Sequence, residues 1–222
     1  MLNSRKTSTY LYVLSDFLSA MLAWFLFFTY RKRLEEYPFT MDAVYSDDNL
    51  YQGLIVIPMI WLVLYIIFDK YSDIYRYSRL ATLSRTLVLS FMGCLLLFFT
   101  VLQDDTVLQY TTYFKNFITL FLLHATITCI CRMVLLTIAK RKIKDGSITY
   151  NTLIIGGDMN AVDLYREITD RDYKMGFNFV GFIDSNGHSS NRLEKYIPKL
   201  GMVDDIASTI ESNNIEEVIV AV

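Results

Sequence analysis

The sequence predicts a four-helix transmembrane bundle followed by a partial α/β module built on a parallel sheet. Three observations carry that expectation. Hydrophobic residues make up 53% of the 222-residue chain and mean hydropathy is +0.31, too apolar for an ordinary soluble domain. The excess lies before residue 140, where four runs each approach the ~20 residues needed to cross a bilayer core. Beyond it the composition is ordinary, and short apolar runs alternate with helical patterns, an order that builds parallel sheets.

The first run, Leu11–Tyr30, is long and lacks a small-residue cleavage site, so it reads as a retained anchor rather than a leader. The second and third, Gly53–Phe68 and Thr86–Leu102, are short, and either recruit flanking aromatic residues or thin the bilayer. The fourth is Phe117–Ala139. Tyr10, Tyr30, Tyr51, Tyr65, Tyr71, Tyr110 and Tyr113 cluster near the ends, as interfacial belts do. The runs read as apolar all round, with no polar face at helical spacing, which disfavours a soluble helical core.

A few polar groups interrupt these spans. Asp16 and Arg132 fall near span ends, where snorkelling or mutual pairing is favoured over a transport role. His124 lies deeper and is expected to hydrogen-bond between helices rather than relay protons. Pro58 predicts a kink in the second span. Cys94, Cys129 and Cys131 sit in apolar runs with no second pair to complete a zinc site, so no metal site is expected.

Orientation follows from the basic residues near span ends. Arg5, Lys6, Lys70, Arg76, Arg79, Arg85, Lys140, Arg141, Lys142 and Lys144 fall on one side, against Arg31, Lys32, Arg33 and Lys115 on the other, ten to four. Both the N-terminus and the C-terminal part are therefore expected in the cytoplasm. The Arg31–Arg33 cluster dissents. A net charge of −2 offers no basic field for a nucleic acid, so none is expected as partner. The bilayer itself is.

Between spans two and three, Asp69–Arg85 interleaves tyrosines with arginines at helical spacings. Such a stretch can lie among lipid headgroups with guanidinium groups on phosphates, which makes Arg76 and Arg79 candidates for lipid-phosphate contact. An ordinary positive-inside loop explains it equally well.

The membrane domain is assigned to residues 1–145 and the soluble module to 146–222, joined through Asp145-Gly146-Ser147. Thr152–Gly157 reads as a buried strand. Asn160 to about Asp172 reads as an amphipathic helix with Ala161, Leu164 and Ile168 inward. Phe179–Ile183 is a second strand closed by Asp184 and a polar turn, and Leu200–Val203 a third. Asp204 and Asp205 start a helix through Ser212, as cap and first-turn charges rather than a metal pair. Glu217–Val222 is a last strand, expected in the interior of the sheet, which reads as a module cut short.

A strand ending in Gly156-Gly157 and followed by a helix is how a Rossmann-like phosphate turn begins. Gly156, Gly157, Asp158, Asn160 and Asp184 are therefore the candidate nucleotide-binding residues. The turn departs from the dinucleotide pattern, because Asp158 and Ala161 occupy the second and third glycine positions. An Asp there adds bulk and negative charge beside a phosphate. Asp184 stands where an acid could bind a ribose hydroxyl, though further from the turn than the usual ~20 residues. A weaker or different nucleotide contact, or none, is favoured over tight NAD binding.

The order of four spans, Phe-Asp-Lys-Tyr-Ser-Asp-Ile-Tyr-Arg-Tyr-Ser-Arg, Asn-Thr-Leu-Ile-Ile-Gly-Gly, Gly176–Asp184, Leu200-Gly201 and Ile215–Val222 resembles one known architecture. It is similar to the N-terminal half of large polyprenyl-phosphate sugar-1-phosphate transferases of the Bacteroidetes type. Those enzymes start exopolysaccharide, capsule or O-antigen repeat units. The resemblance implies a multi-pass protein of the bacterial inner membrane with a Rossmann-like, CoA-binding-like module. It also implies a following catalytic domain, with a re-entrant helix and an Asp-Glu pair using Mg2+, that transfers sugar phosphate from a UDP-sugar to undecaprenyl phosphate. No catalytic residue of that domain maps onto this chain, which as it stands is expected to transfer nothing. Membrane-bound nucleotide-sugar 4,6-dehydratases share the same front half. A membrane-tethered nucleotide sensor is the non-enzymatic alternative, and a homo-oligomer is left open.

Overall fold

The structure is a computed structural model and describes residues 2–35, 38–68, 71, 74–100, 110–185 and 192–222. The chain divides into two compact units, one of Arg5–Ala139 and one containing Lys140–Val222.

The first unit comprises most of α1 (Leu2–Glu35), α2 (Met41–Tyr45), α3 (Asp48–Ile67), α4 (Arg79–Thr100) and most of α5 (Tyr110–Lys144). Four stretches, Ser8–Leu34, Asp48–Ile67, Arg79–Thr100 and Tyr113–Lys144, are long and apolar enough to cross a membrane. The second and third are longer than their hydropathy suggested, because each begins with a polar first turn. Asp47 caps α3 by accepting the Asn49 N–H at 2.9 Å, and the Ser78 hydroxyl accepts the Ala81 N–H at 3.1 Å at the start of α4. At 20 and 22 residues, both are about 30 Å or more in length and need no thinned bilayer. The expected end at Leu102 lies outside the described residues. The short helix α2, capped by Thr40, was not foreseen.

The helices are arranged inside out. On α1, Leu11, Leu14, Leu18 and Leu22 are each about half exposed, while Tyr12, Asp16, Ala20, Ala23, Trp24 and Phe27 are buried. On α5, Ile118, Leu122, Ile130, Val134 and Ile138 face outward, and Asn116, Leu120, His124, Thr128, Arg132 and Leu136 are buried. Thr82, Thr86 and Ser90 form a similar buried row on α4. A water-soluble bundle hides its leucines; this one hides its polar groups, as a lipid-facing bundle does. The helices are thus not apolar all round. α4 and α5 each carry a narrow inward line with polar groups at multiples of four residues, and α1 buries Asp16 and Ser19. Close crossings are permitted by small residues: any side chain at Gly53 would overlap the Trp24 indole, and at Gly93 the Trp61 indole.

The second unit holds a four-stranded parallel sheet of β1 (Tyr150–Ile155), β2 (Phe177–Asp184), β3 (Lys199–Met202) and β4 (Glu217–Val220). Spatial order is β3-β2-β1-β4. Helix α6 (Met159–Thr169) links β1 to β2, a 3₁₀ turn at Arg192–Lys195 precedes β3, and α7 (Ile206–Ser212) leads to β4. Ile154, Ala161, Val162, Phe182, Leu193 and Ile197 form the core, with Tyr165 and Phe179 against it. Two expectations shift. β1 stops at Ile155 because Gly156 leaves the extended region, with φ at +130°. β4 pairs with β1 alone and stands at the edge of the four strands, with Val218 and Val220 exposed.

Candidate functional site

The strand order reverses between β1 and β4, and in open α/β sheets ligands bind beyond the carboxyl ends of strands at such a point. Gly156–Asn160 leaves β1 there. Ile155 pairs with Ile183, so Asp184 lies one residue past the same row on β2. All five candidate residues thus belong to one end of the sheet.

Their groups are engaged within the chain. Gly156 donates its N–H to the Ile183 carbonyl at 2.9 Å, and the Ala221 N–H donates to the Ile155 carbonyl at 2.8 Å. The Ala221 carbonyl oxygen then occupies the place a Cβ on Gly156 would take. Gly156 is required by φ and by this close approach of the chain's own backbone. The Gly157 carbonyl accepts the Leu193 N–H at 3.3 Å, which ties the 3₁₀ turn to the glycine turn. Asn160 donates its side-chain N–H to the Val222 carbonyl at 3.2 Å. Asp158 is exposed at the N-cap of α6, where its negative charge matches the helix dipole.

Asp184 is buried, 2% exposed, and accepts a 2.8 Å hydrogen bond from Lys199 Nζ at the start of β3. Sequence reasoning missed Lys199. The only available signal was a cation opening a short strand next to one that ends in an acid. Asp205 turns back so that its carboxylate accepts the Met202 N–H at 3.1 Å, a helix-start role.

A second constellation lies inside the helical unit. Arg132 on α5 donates from Nε to Asp16 Oδ1 at 2.7 Å and from Nη2 to Asp16 Oδ2 at 2.5 Å, with both side chains fully buried. Its Nη1 donates to Thr86 Oγ1 on α4 at 2.9 Å, and its guanidinium stacks 4.0 Å above the Tyr65 ring of α3. Tyr71, in the connection after α3, donates its hydroxyl to Asp16 Oδ2 at 2.8 Å. Burial, then the Asp16 carboxylate, raises the Tyr71 pKa above its ordinary value, so the hydroxyl stays a donor. One ion pair therefore joins α1, α3, α4, α5 and a connecting segment. Asp16 and Arg132 pair with each other and do not snorkel. One turn or two further along, His124 stacks on Trp61 with ring centroids 3.7 Å apart, and its Nδ1 lies 3.0 Å from Ser90 Oγ. It serves between helices, as expected.

In the connection before α4, Ile74 and Tyr75 are buried while Arg76 is exposed, as is Arg79, the first residue of α4. Arg85 lies over the Tyr77 ring at 4.6 Å. Asp69, Lys70, Ser72 and Asp73 of the same stretch lie outside the described residues.

A family profile described as a CoA-binding domain matches residues 70–222. The chain belongs to that family. The match takes in α4, α5 and the entire sheet, so the CoA-binding domain family is defined here by two helices of the bundle as well as by the Rossmann-like layer. The family is found in bacterial polyprenyl-phosphate sugar transferases. No curated protein matches the chain.

Proposed function

We propose that this chain is the membrane-anchoring and structural part of an enzyme that moves sugar-1-phosphate from a UDP-sugar to undecaprenyl phosphate, at the cytoplasmic face of a bacterial inner membrane. The observation that carries this reading is the CoA-binding-domain match across both α4–α5 and the sheet, in a family found in such transferases. The inside-out bundle supports the anchoring role. Arg76 and Arg79, exposed at the start of α4, are the residues assigned to lipid phosphate.

The glycine turn is assigned a structural role within that enzyme. A pyrophosphate would need close backbone approach at the second glycine position, where Asp158 adds bulk and a negative charge. A ribose would have to compete with Lys199 for Asp184. CoA and NAD both present these groups, so no step of the reaction is routed through either. The turn serves as the joint at which β1, β4 and α6 meet.

The reaction has a clear signature. Membranes carrying the native gene, supplied with UDP-sugars and undecaprenyl phosphate, are expected to release UMP and form undecaprenyl-diphosphate-sugar, read by mass spectrometry of the lipid fraction. A 4-keto-6-deoxy nucleotide sugar with no lipid product would replace this reading with the dehydratase one.

A further inference from the structure

Helix α4 carries a second feature that the proposed role leaves unused. A groove of about 290 Å³ runs beside it, lined by Phe68, Ser84, Arg85, Val88, Leu89 and Met92. Arg85 is three and four residues from Val88 and Leu89, and Met92 is four and three from the same two, so the four form a single stripe down the helix. Phe68, the C-cap of α3, flanks it. The end of α3 and the beginning of α4 lie at the same margin of the bundle, since one short connection joins them.

Polarity is graded along this stripe. Arg85 lies six residues into α4, about 9 Å below its first residue. Its guanidinium nevertheless sits over Tyr77, two residues before the helix begins. The side chain therefore runs back up the helix, laying its methylenes along the groove and its charge at the mouth, as snorkelling arginines do. Among the described residues no carboxylate pairs with Arg85. Below it Val88 and Met92 are about half exposed and wholly apolar, and Leu89 forms the floor.

We infer that this groove seats one anionic membrane phospholipid, its phosphate on the Arg85 guanidinium and an acyl chain along Val88, Leu89 and Met92. The chemistry selects the occupant. A guanidinium over an aromatic ring matches a phosphate bidentately, and the apolar stripe of Val88, Leu89 and Met92 below it takes an acyl chain. Neither Arg76 nor Arg79 lines this groove, and its occupancy does not depend on sugar-phosphate transfer.

Native mass spectrometry of the purified chain in detergent, with phosphatidylglycerol or diacylglycerol added stepwise, tests it. One phosphatidylglycerol is expected to survive activation, with occupancy falling at least about tenfold in Arg85→Gln and by an intermediate amount in Arg85→Lys, which keeps the charge and loses the bidentate fork. Met92→Trp, which fills the groove and leaves the charge, is expected to lower occupancy as well. Diacylglycerol should be lost at low activation energy from every variant. Equal phosphatidylglycerol retention by the wild-type chain and Arg85→Gln, when both melt at the same temperature, would overturn the site. So would diacylglycerol retention equal to that of phosphatidylglycerol.

Discussion

Arg132 spends every guanidinium nitrogen inside the bundle, two on Asp16 and one on Thr86, and does so at zero exposure. A buried pair of this kind is weak evidence for net stability, yet removing one member strands a charge where no water can reach it. Asp16→Ala and Arg132→Ala are each expected to cost about 3–5 kcal/mol. The joint change Asp16→Leu with Arg132→Met should cost far less than their sum. Thermal unfolding of the purified protein in detergent checks this, and additive losses would show that the two groups do not act as a pair. The same logic explains what was legible at this scale. Asp16 and Arg132 stood out because a charge in an apolar run needs a partner, and each was the other's nearest candidate. Thr86, Ser90 and Thr128 did not stand out, because a hydroxyl can bond to its own helix, as Thr86 also does to Thr82. Only the recurrence of Asn116, His124, Thr128 and Arg132 at multiples of four residues would have marked an inward line. Lys199 was invisible for another reason: its meaning comes from Asp184, fifteen residues away and brought beside it by strand pairing.

Elements meet at backbone as well as at side chains. Gly156 ends β1, turns at positive φ and lies against the Ala221 carbonyl that follows β4. Gly156→Ala would bring both a strained φ and an overlap with that carbonyl, a loss of about 1–3 kcal/mol or more. Hydrogen exchange should show it as faster exchange at Ala221 and along β4, with β2 and β3 little changed; uniform protection across β4 would argue that the turn is slack. In the helical unit, α1 and α3 are tied by Lys32 and Asp47, 2.8 Å apart. The hydrogen bond from Lys32 holds the Asp47 carboxyl below the usual carboxylate range. A depressed folded pKa gives stability that is present above the unfolded value near ~4 and is lost as pH falls through the folded value. Lys32→Met is therefore expected to lower stability above about pH 5, where the contribution is fully present, and to flatten the acid side of the profile, with little change at the lowest pH. The strands and helices of the sheet were readable because their apolar periodicity is local. Their ends were less so: the polar first turns of α3 and α4, the capped turn of α2 and the early stop of β1 all depend on caps or on φ rather than on hydropathy.

At the scale of the molecule, four apolar helices and a parallel sheet were both apparent from composition, because the switch from lipid-facing to water-facing chemistry is abrupt near residue 140. Which strand takes the edge was not, since strand order is set by pairing that no local pattern encodes. Orientation rests on ten basic residues against four, and one of the four, Lys32, is engaged with Asp47. A reporter fused after Tyr45 should accordingly be active outside the cytoplasm, and a cytoplasmic signal there would invert the arrangement. The central claim is that the Rossmann-like layer of this CoA-binding-domain family member acts as a joint and not as a nucleotide cradle. The most direct measurement is a calorimetric titration of CoA, NAD and a UDP-sugar into the purified chain. The account predicts no saturable binding below about 1 mM, weaker than roughly 4 kcal/mol. Micromolar binding of any of the three, abolished by Gly157→Val and unaffected by Arg85→Gln, would contradict it.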